Sequence, residues 1–247
     1  MRNPTIHRIL FLALLAAPAV LFAEPPFNTG DPEPTDPGHF EIYLSGSLES
    51  GAEGLEGELP ELEVDFGALP DLQLHVAAPF LYDSPQAGGA VYGYGDTELG
   101  VKLRFGNDKA RDFQWGTYPL VEVPTGDAAK GLGGGQTKLF IPLWFQKELG
   151  SWKSYGGGGY WVNPGAGNLD WIYLGWVLQD SVTPFLDLGG ELFFHTADEA
   201  GKSNALGWNV GGGLNFDDNH HFLMTLGRDI QENEVLYTLY AAYELDL

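Results

Sequence analysis

The sequence has no cysteine, two methionines, few cations and, past its first two dozen residues, no long apolar run. Each shortage excludes something. Without cysteine, an exported chain of 247 residues has to hold itself together by burial and hydrogen bonding alone. Twelve Lys+Arg against 34 Asp+Glu give a net charge of -22, which excludes the basic face that nucleic acid requires. With no apolar run of about 18 residues after the N-terminus, there is no spanning helix. Charged residues make up only 19% and aromatics 13%, a balance that excludes a disordered chain. Glycine is abundant, 35 residues, but follows no strict period, so a collagen-like reading fails and tight turns remain.

The N-terminus does carry an apolar run. Arg2, His7 and Arg8 precede or border ILFLALLAAPAVLF, and Ala23 follows. A basic start, a short apolar stretch broken by Pro18 and a small residue at the junction describe a secretory signal peptide, with cleavage expected after Ala23. Its removal takes Arg2 and Arg8 and leaves 10 cations against the same 34 acids, a net -24. Residues 24–38, EPPFNTGDPEPTDPG, hold five prolines and can form neither helix nor central strand. They are expected to be an extended periplasmic lead-in, with a plug reaching into a lumen as the alternative.

From residue 39 the period is two. HFEIYLSGSL (39–48), PELEVDFGAL (60–69), DLQLHVAAPF (71–80) and TELGVKLRF (97–105) each set one apolar face against one polar face. Eight blurrier segments follow, at 113–123, 137–149, 151–162, 168–180, 183–195, 205–216, 220–228 and 235–247, where Gly mixes with Trp, Tyr and Phe. Connections after the even-numbered segments are short, such as Leu69-Pro70-Asp71, and those after the odd-numbered ones are mostly longer and rich in Gly, Pro and acid. Twelve segments of spanning length, with short turns on one side and long loops on the other, predict an all-β fold. It is an antiparallel up-and-down transmembrane barrel of the bacterial outer membrane, filling residues 39–247. The last segment, VLYTLYAAYELDL, keeps an apolar stripe to Leu247. A closed barrel explains this, because the final strand pairs with the first and its outer face meets lipid.

Several long stretches resemble a Gram-negative outer-membrane family described as "meta-pathway of phenol degradation" or putative transporters. They are PPFNTGDPEPTDPGHFEIY (25–43), PELEVDFGALPDLQLHVAAPF (60–80), GYGDTELGVKLRF (93–105), YPLVEVPTGD (118–127) with GLGGG (131–135), and LFIPLWFQKELGSWKSYGGGGYWVNPGAGN (139–168), with further matches at 188–196 and 219–228. The resemblance implies a channel for passive uptake of small, aromatic or apolar compounds, and supplies no catalytic or ligand residues. The partners it implies are the lipid bilayer with its lipopolysaccharide, the barrel-assembly machinery and a small-molecule solute. Such barrels usually end in an aromatic residue; here Leu247 stands there and Tyr243 four residues back, which bears on insertion efficiency.

If the apolar stripes face lipid, the other parity faces the lumen. The clean strands then contribute Glu41, Glu61, Glu63, Asp65, Gln73, His75, Glu98, Lys102 and Arg104, and the later ones Glu122, Lys138, Asp187 and Glu191. Both signs occur, which fits either a selective polar channel or an interior filled by ion pairs. Lys102 and Arg104 share a face, and the acids at 61, 63 and 65 repeat that spacing, so a latch between the two sets is one expectation. A structural or adhesive barrel, with a filled lumen and acidic outer loops able to bridge divalent cations to lipopolysaccharide, is the alternative function. A lipid-modifying enzyme is a weaker one. It lacks a G-x-S-x-G motif, the nearest fragment being Leu44-Ser45-Gly46-Ser47, and nothing in the sequence pairs His195 with Ser203 eight residues on. TGDAAKGLGGGQT (125–137) resembles a phosphate loop only superficially, since a strand follows it and not a helix. The adjacent pair His220-His221 points to opposite faces of a strand, poor geometry for one metal. No cofactor, metal ligand set or catalytic residue is named by the sequence.

Overall fold

The computed structural model describes residues 25–230 and 235–247, so the expected signal peptide lies outside the described residues. Twelve antiparallel strands form the wall: β1 (Phe40–Ser50), β2 (Gly54–Leu69), β3 (Leu72–Pro85), β4 in two pieces (Val91–Tyr94 and Thr97–Asp108), β5 in two pieces (Phe113–Thr117 and Leu120–Val123), β6 (Lys138–Leu149), β7 (Trp152–Val162), β8 (Trp171–Thr183), β9 (Leu186–His195), β10 (Ala205–Asn215), β11 (His220–Ile230) and β12 (Val235–Asp246). Each pairs with its chain neighbours, and β1 pairs with β12 from Glu41↔Asp246 to Ser50↔Tyr237, which closes the sheet on itself. Phe40 and Leu247 exchange two backbone hydrogen bonds of 2.8 Å at the seam, so the ladder runs to the final residue.

The strands differ in extent from the sequence reading where composition misleads. The acidic, Gly-rich stretch 49–59 reads as a loop, yet β2 begins at Gly54 and, past a register shift between Ser45 and Ser47, stays paired with β1 out to Ser50↔Leu55. Likewise β3 runs to Pro85, because the β2–β3 ladder continues past a register shift between Glu58 and Glu61. Gly and Glu are depleted in strands, but pairing on both sides overrides that preference here. β5 breaks at Tyr118-Pro119, where proline cannot donate to the ladder and its carbonyl instead accepts from the Val101 amide at 3.1 Å.

The parity of the wall is uniform. Leu44, Leu62, Leu74, Leu99, Ile141, Leu174, Leu206, Leu226 and Tyr243 are exposed on the outside. Tyr43, Glu63, His75, Lys102, Trp144, Tyr173, Glu191, Thr225 and Tyr240 are buried on the inside. Large apolar side chains thus cover the exterior of every strand region while the polar groups turn inward, the inverse of a soluble barrel and the requirement for one that sits in lipid. The protein is a transmembrane β-barrel of the outer-membrane type. Leu226, half-exposed near the middle of β11, tests the assignment. Leu226→Arg should lower the unfolding free energy in lipid vesicles by roughly 2–4 kcal/mol, read from urea titration of tryptophan fluorescence. A solvated exterior would tolerate the change at no cost.

Candidate functional site in the barrel lumen

The inward parity places the sequence-named residues as follows. Glu61, Glu63, Asp65, Gln73, His75, Lys102, Glu122 and Glu191 are buried. Glu41, Glu98, Arg104, Lys138 and Asp187 are half-buried. Most are engaged side by side along the ladder. Lys138 Nζ lies 2.9 Å from Glu122 Oε2 across β5–β6. Asn215 donates to Asp187 at 2.8 Å, and the Tyr43 hydroxyl donates to Glu41 at 3.2 Å and to Glu244 at 3.0 Å.

The expected latch of Lys102 and Arg104 onto Glu61, Glu63 and Asp65 does not form. β3 lies between β2 and β4, and its His75 takes the acids: Nδ1 is 2.8 Å from Asp65 and 3.5 Å from Glu63, and Nε2 is 3.1 Å from Glu98. Arg104 instead bonds Asp71 (2.7 Å) and Gln114 (2.8 Å). Lys102 donates to the Glu33 carbonyl at 3.2 Å and sits 4.9 Å from the centre of the Tyr118 ring.

Glu33 belongs to the N-terminal segment, for which sequence alone leaves a periplasmic lead-in and a lumen plug open. In the structure residues 26–35 lie among inward-facing side chains. The segment enters beside the short β2–β3 turn, where the Gly38 amide donates to Gly67 O at 2.7 Å. Thr35 N and Oγ1 both donate to Gln73 Oε1 (2.9 and 3.1 Å). Glu33 receives Gln114 (3.4 Å), Gln146 (3.0 Å) and Lys153 (3.2 Å) from three successive strands. Farther on, Glu191 accepts from Thr29 Oγ1 (2.5 Å) and the Asn28 amide (3.2 Å), and also from the wall residues Tyr173 (3.0 Å) and Asn209 (2.6 Å). Thr225 donates to Pro26 O at 3.0 Å, and Phe27, fully buried, packs with Tyr155 and Val177. Burial pushes the Asp31 carboxyl up to about 6, against the pull of the Lys153 ammonium. Burial raises Glu33 too, but Lys153 and the amides of Gln146 and Gln114 outweigh it and hold that carboxyl below its usual range.

Two wall glycines admit the segment. A Cβ at Gly67 would collide with the carbonyl oxygens of Thr35 and Asp36, and one at Gly175 with Thr29 Oγ1. Sequence reasoning missed Gln114, Gln146, Lys153, Tyr173, Asn209 and Thr225 as parts of this seat. Their inward parity was available once the outward face of each strand was fixed.

An aromatic cluster adjoins this seat and shares Tyr173 with it. Phe140, Trp161 and Trp171 stack in a row across β6, β7 and β8, with centroids 4.8 and 5.6 Å apart and planes within 11°. Trp144, Tyr173 and Phe193 continue the cluster, and all are buried. The indole N–H groups of Trp144 and Trp161 are buried with no hydrogen-bond partner among the described residues. His195, the base of the enzyme alternative, closes the row edge-on against Trp171. Its nitrogens face Thr196 O (3.2 Å) and Asp229 (3.1 Å). His220 and His221 diverge, one to the Tyr243 hydroxyl (2.6 Å) and the other to Asn215 (2.9 Å).

At the long-loop end, residues 124–137 hold a single 3-10 turn, Ala128–Lys130. Asp96 tethers this loop by accepting from the amides of Gly126 (2.9 Å) and Gly134 (2.7 Å), with Leu132 buried beneath.

No family model matches the chain, and no curated protein matches it in sequence. Its fold is similar to that of the COG4313 outer membrane channel from Pseudomonas putida F1, with a TM-score of 0.72 at 19% identity over 90% of this chain and 100% of that one. The NanC porin (TM-score 0.57, 8% identity) and the KdgM porin (0.56, 9%) each align over 82% of this chain and 98% of their own. These structures share the barrel architecture at low identity. The chain is an outer-membrane β-barrel, and these three solved proteins of similar fold are a channel and two porins.

Proposed function

We propose that this barrel is a passive channel for small apolar or aromatic compounds, with a lumen gated by residues 25–38. The observation that carries the reading is the aromatic row inside the wall. An ordinary water-filled pore has a polar interior, whereas Phe140, Trp161 and Trp171 offer stacked planar surface facing inward. Two indole N–H donors in the same aromatic cluster, those of Trp144 and Trp161, have no partner among the described residues. A planar solute bearing one acceptor oxygen matches both features, by stacking and by hydrogen bonding. The proposal includes the uptake family that the sequence resembles. The N-terminal segment is held mainly by polar contacts to separate strands, an arrangement that releases stepwise as each contact is exchanged for water.

The test is entry of a radiolabelled small phenol into lipopolysaccharide-containing proteoliposomes, compared with a sugar of similar mass. The expected result is faster entry of the phenol alone, diminished by Trp161→Ala. Equal acceleration of both solutes would make the barrel an unselective pore. Acceleration of neither would favour the second reading, a structural barrel with a filled interior, for which the full burial of Trp144 and Phe27 is the supporting observation.

A further inference from the structure

We propose that Glu63, Asp65 and His75 form a binding site for a divalent transition-type cation, Zn2+ by its chemistry, built into the β2–β3 hairpin on the lumen side. The three residues present one ligand atom each within 4.8 Å of one another, and all are buried. They come together because the tight turn at Pro70-Asp71, followed by a register shift between Gly67 and Leu69, sets Asp65 directly opposite His75 in the ladder, with Glu63 two residues along the same face. One imidazole and two carboxylates are a three-ligand set of the kind that leaves a fourth zinc position to water or a solute. A calcium ion would ask for six to eight oxygens, which this set does not offer.

Two further observations point to an ion there. The first is Glu63. Its side chain is 5% exposed, and its nearest partner is His75 Nδ1 at 3.5 Å, an atom already held at 2.8 Å by Asp65. The 3.5 Å contact is longer than an ordinary hydrogen bond, so the buried carboxyl keeps acceptor capacity that a cation between the three groups would use. A proton on Nδ1 serves Asp65 and leaves Glu63 at the longer distance. A cation between the three serves both. The second is Glu98, which lies 3.1 Å from Nε2 on the far side of the ring. A carboxylate behind the distal nitrogen fixes the tautomer that turns the Nδ1 lone pair toward Asp65 and Glu63, the arrangement that orients metal-binding histidines. The ring is also fixed in place by Tyr118, edge-on with centroids 5.5 Å apart.

The mature chain, refolded from urea in the presence of Co2+ so that the hairpin forms around the ion, is the preparation to examine. One Co2+ bound per chain, with the visible absorption of a low-coordinate cobalt centre and displacement by Zn2+, is the expected result. His75→Ala should abolish the absorption. Glu63→Gln and Glu98→Gln should weaken binding, the latter by about 10–100-fold as for other groups that orient a ligand. Heat-modifiable gel migration of each variant checks that the barrel has formed, and the two Gln variants keep the test decisive if His75→Ala does not fold. No bound metal in the wild-type chain overturns the proposal in favour of a protonated imidazole. Binding that survives His75→Ala overturns it as well, because it would reside on the general acidity of the lumen.

Discussion

Removing residues 25–37 should turn a barrel that is silent in a planar bilayer into one that conducts in discrete steps. The expectation rests on where that segment runs. From Thr35 on Gln73, through Glu33 on Gln114, Gln146 and Lys153, to Thr29 on Glu191 and Pro26 on Thr225, it touches the inner face of strands all around the wall. With the segment gone the lumen would fill with water, and its inward acids, Glu41, Glu61, Glu63, Asp65, Glu98, Glu122, Asp187 and Glu191, would outnumber Lys102, Arg104, Lys138 and Lys153. A reversal potential favouring cations in a salt gradient is therefore part of the result. The substitution Gly175→Ala tests the same point without a deletion, since the added methyl takes the place of the Thr29 hydroxyl. Its current should be intermittent, as the segment seats less well. A truncated barrel that folds and stays silent would show that the wall side chains themselves fill the lumen.

The second large effect is expected at Glu191. Glu191→Ala should destabilise the full-length barrel by at least about 3 kcal/mol, because hydrogen bonds to a buried charged acceptor contribute about 1.5–3 kcal/mol each and their donors would be left unpaired. Two of the four donors, Asn28 N and Thr29 Oγ1, come from the N-terminal segment, and the other two, Tyr173 and Asn209, from the wall. The same substitution in a chain lacking residues 25–37 should therefore cost less. Urea unfolding of the four proteins closes a double-mutant cycle whose coupling energy reports the Glu191 anchor alone. Zero coupling would mean that Glu191 serves the wall and does not hold the segment.

Much of this architecture was legible before any coordinates, for a physical reason. Lipid forces one parity of each strand to be apolar, so PELEVDFGAL and DLQLHVAAPF announce both their period and their inward residues. Alternation blurs in β6 to β10 because large aromatics occupy both faces there: Trp152, Trp176 and Trp208 point out while Trp144, Trp161 and Trp171 point in. A pattern of apolar against polar cannot separate two apolar faces. The path of the N-terminal segment was not legible at all, since prolines report what a chain cannot form and not where it goes. Its destination is set by side chains up to 199 positions away. The Asp65–His75 pairing was not countable from the Pro70-Asp71 turn either: the register shifts by one between Gly67 and Leu69, and an unbroken ladder from Leu69↔Leu72 would have set Asp65 opposite Val76.

The seam between Phe40 and Leu247, and the reach of the N-terminal segment to β9 and β11, together fix an order of events. Thr29 meets Glu191 and Pro26 meets Thr225, seats that exist only once β9 and β11 have joined the wall, so those contacts come after the strands that carry them. Residues 25–37 are then the last to settle. A newly closed barrel is for a time an unobstructed tube through the membrane, and how long it stays so is set by how quickly a dozen proline-rich residues find their way back inside.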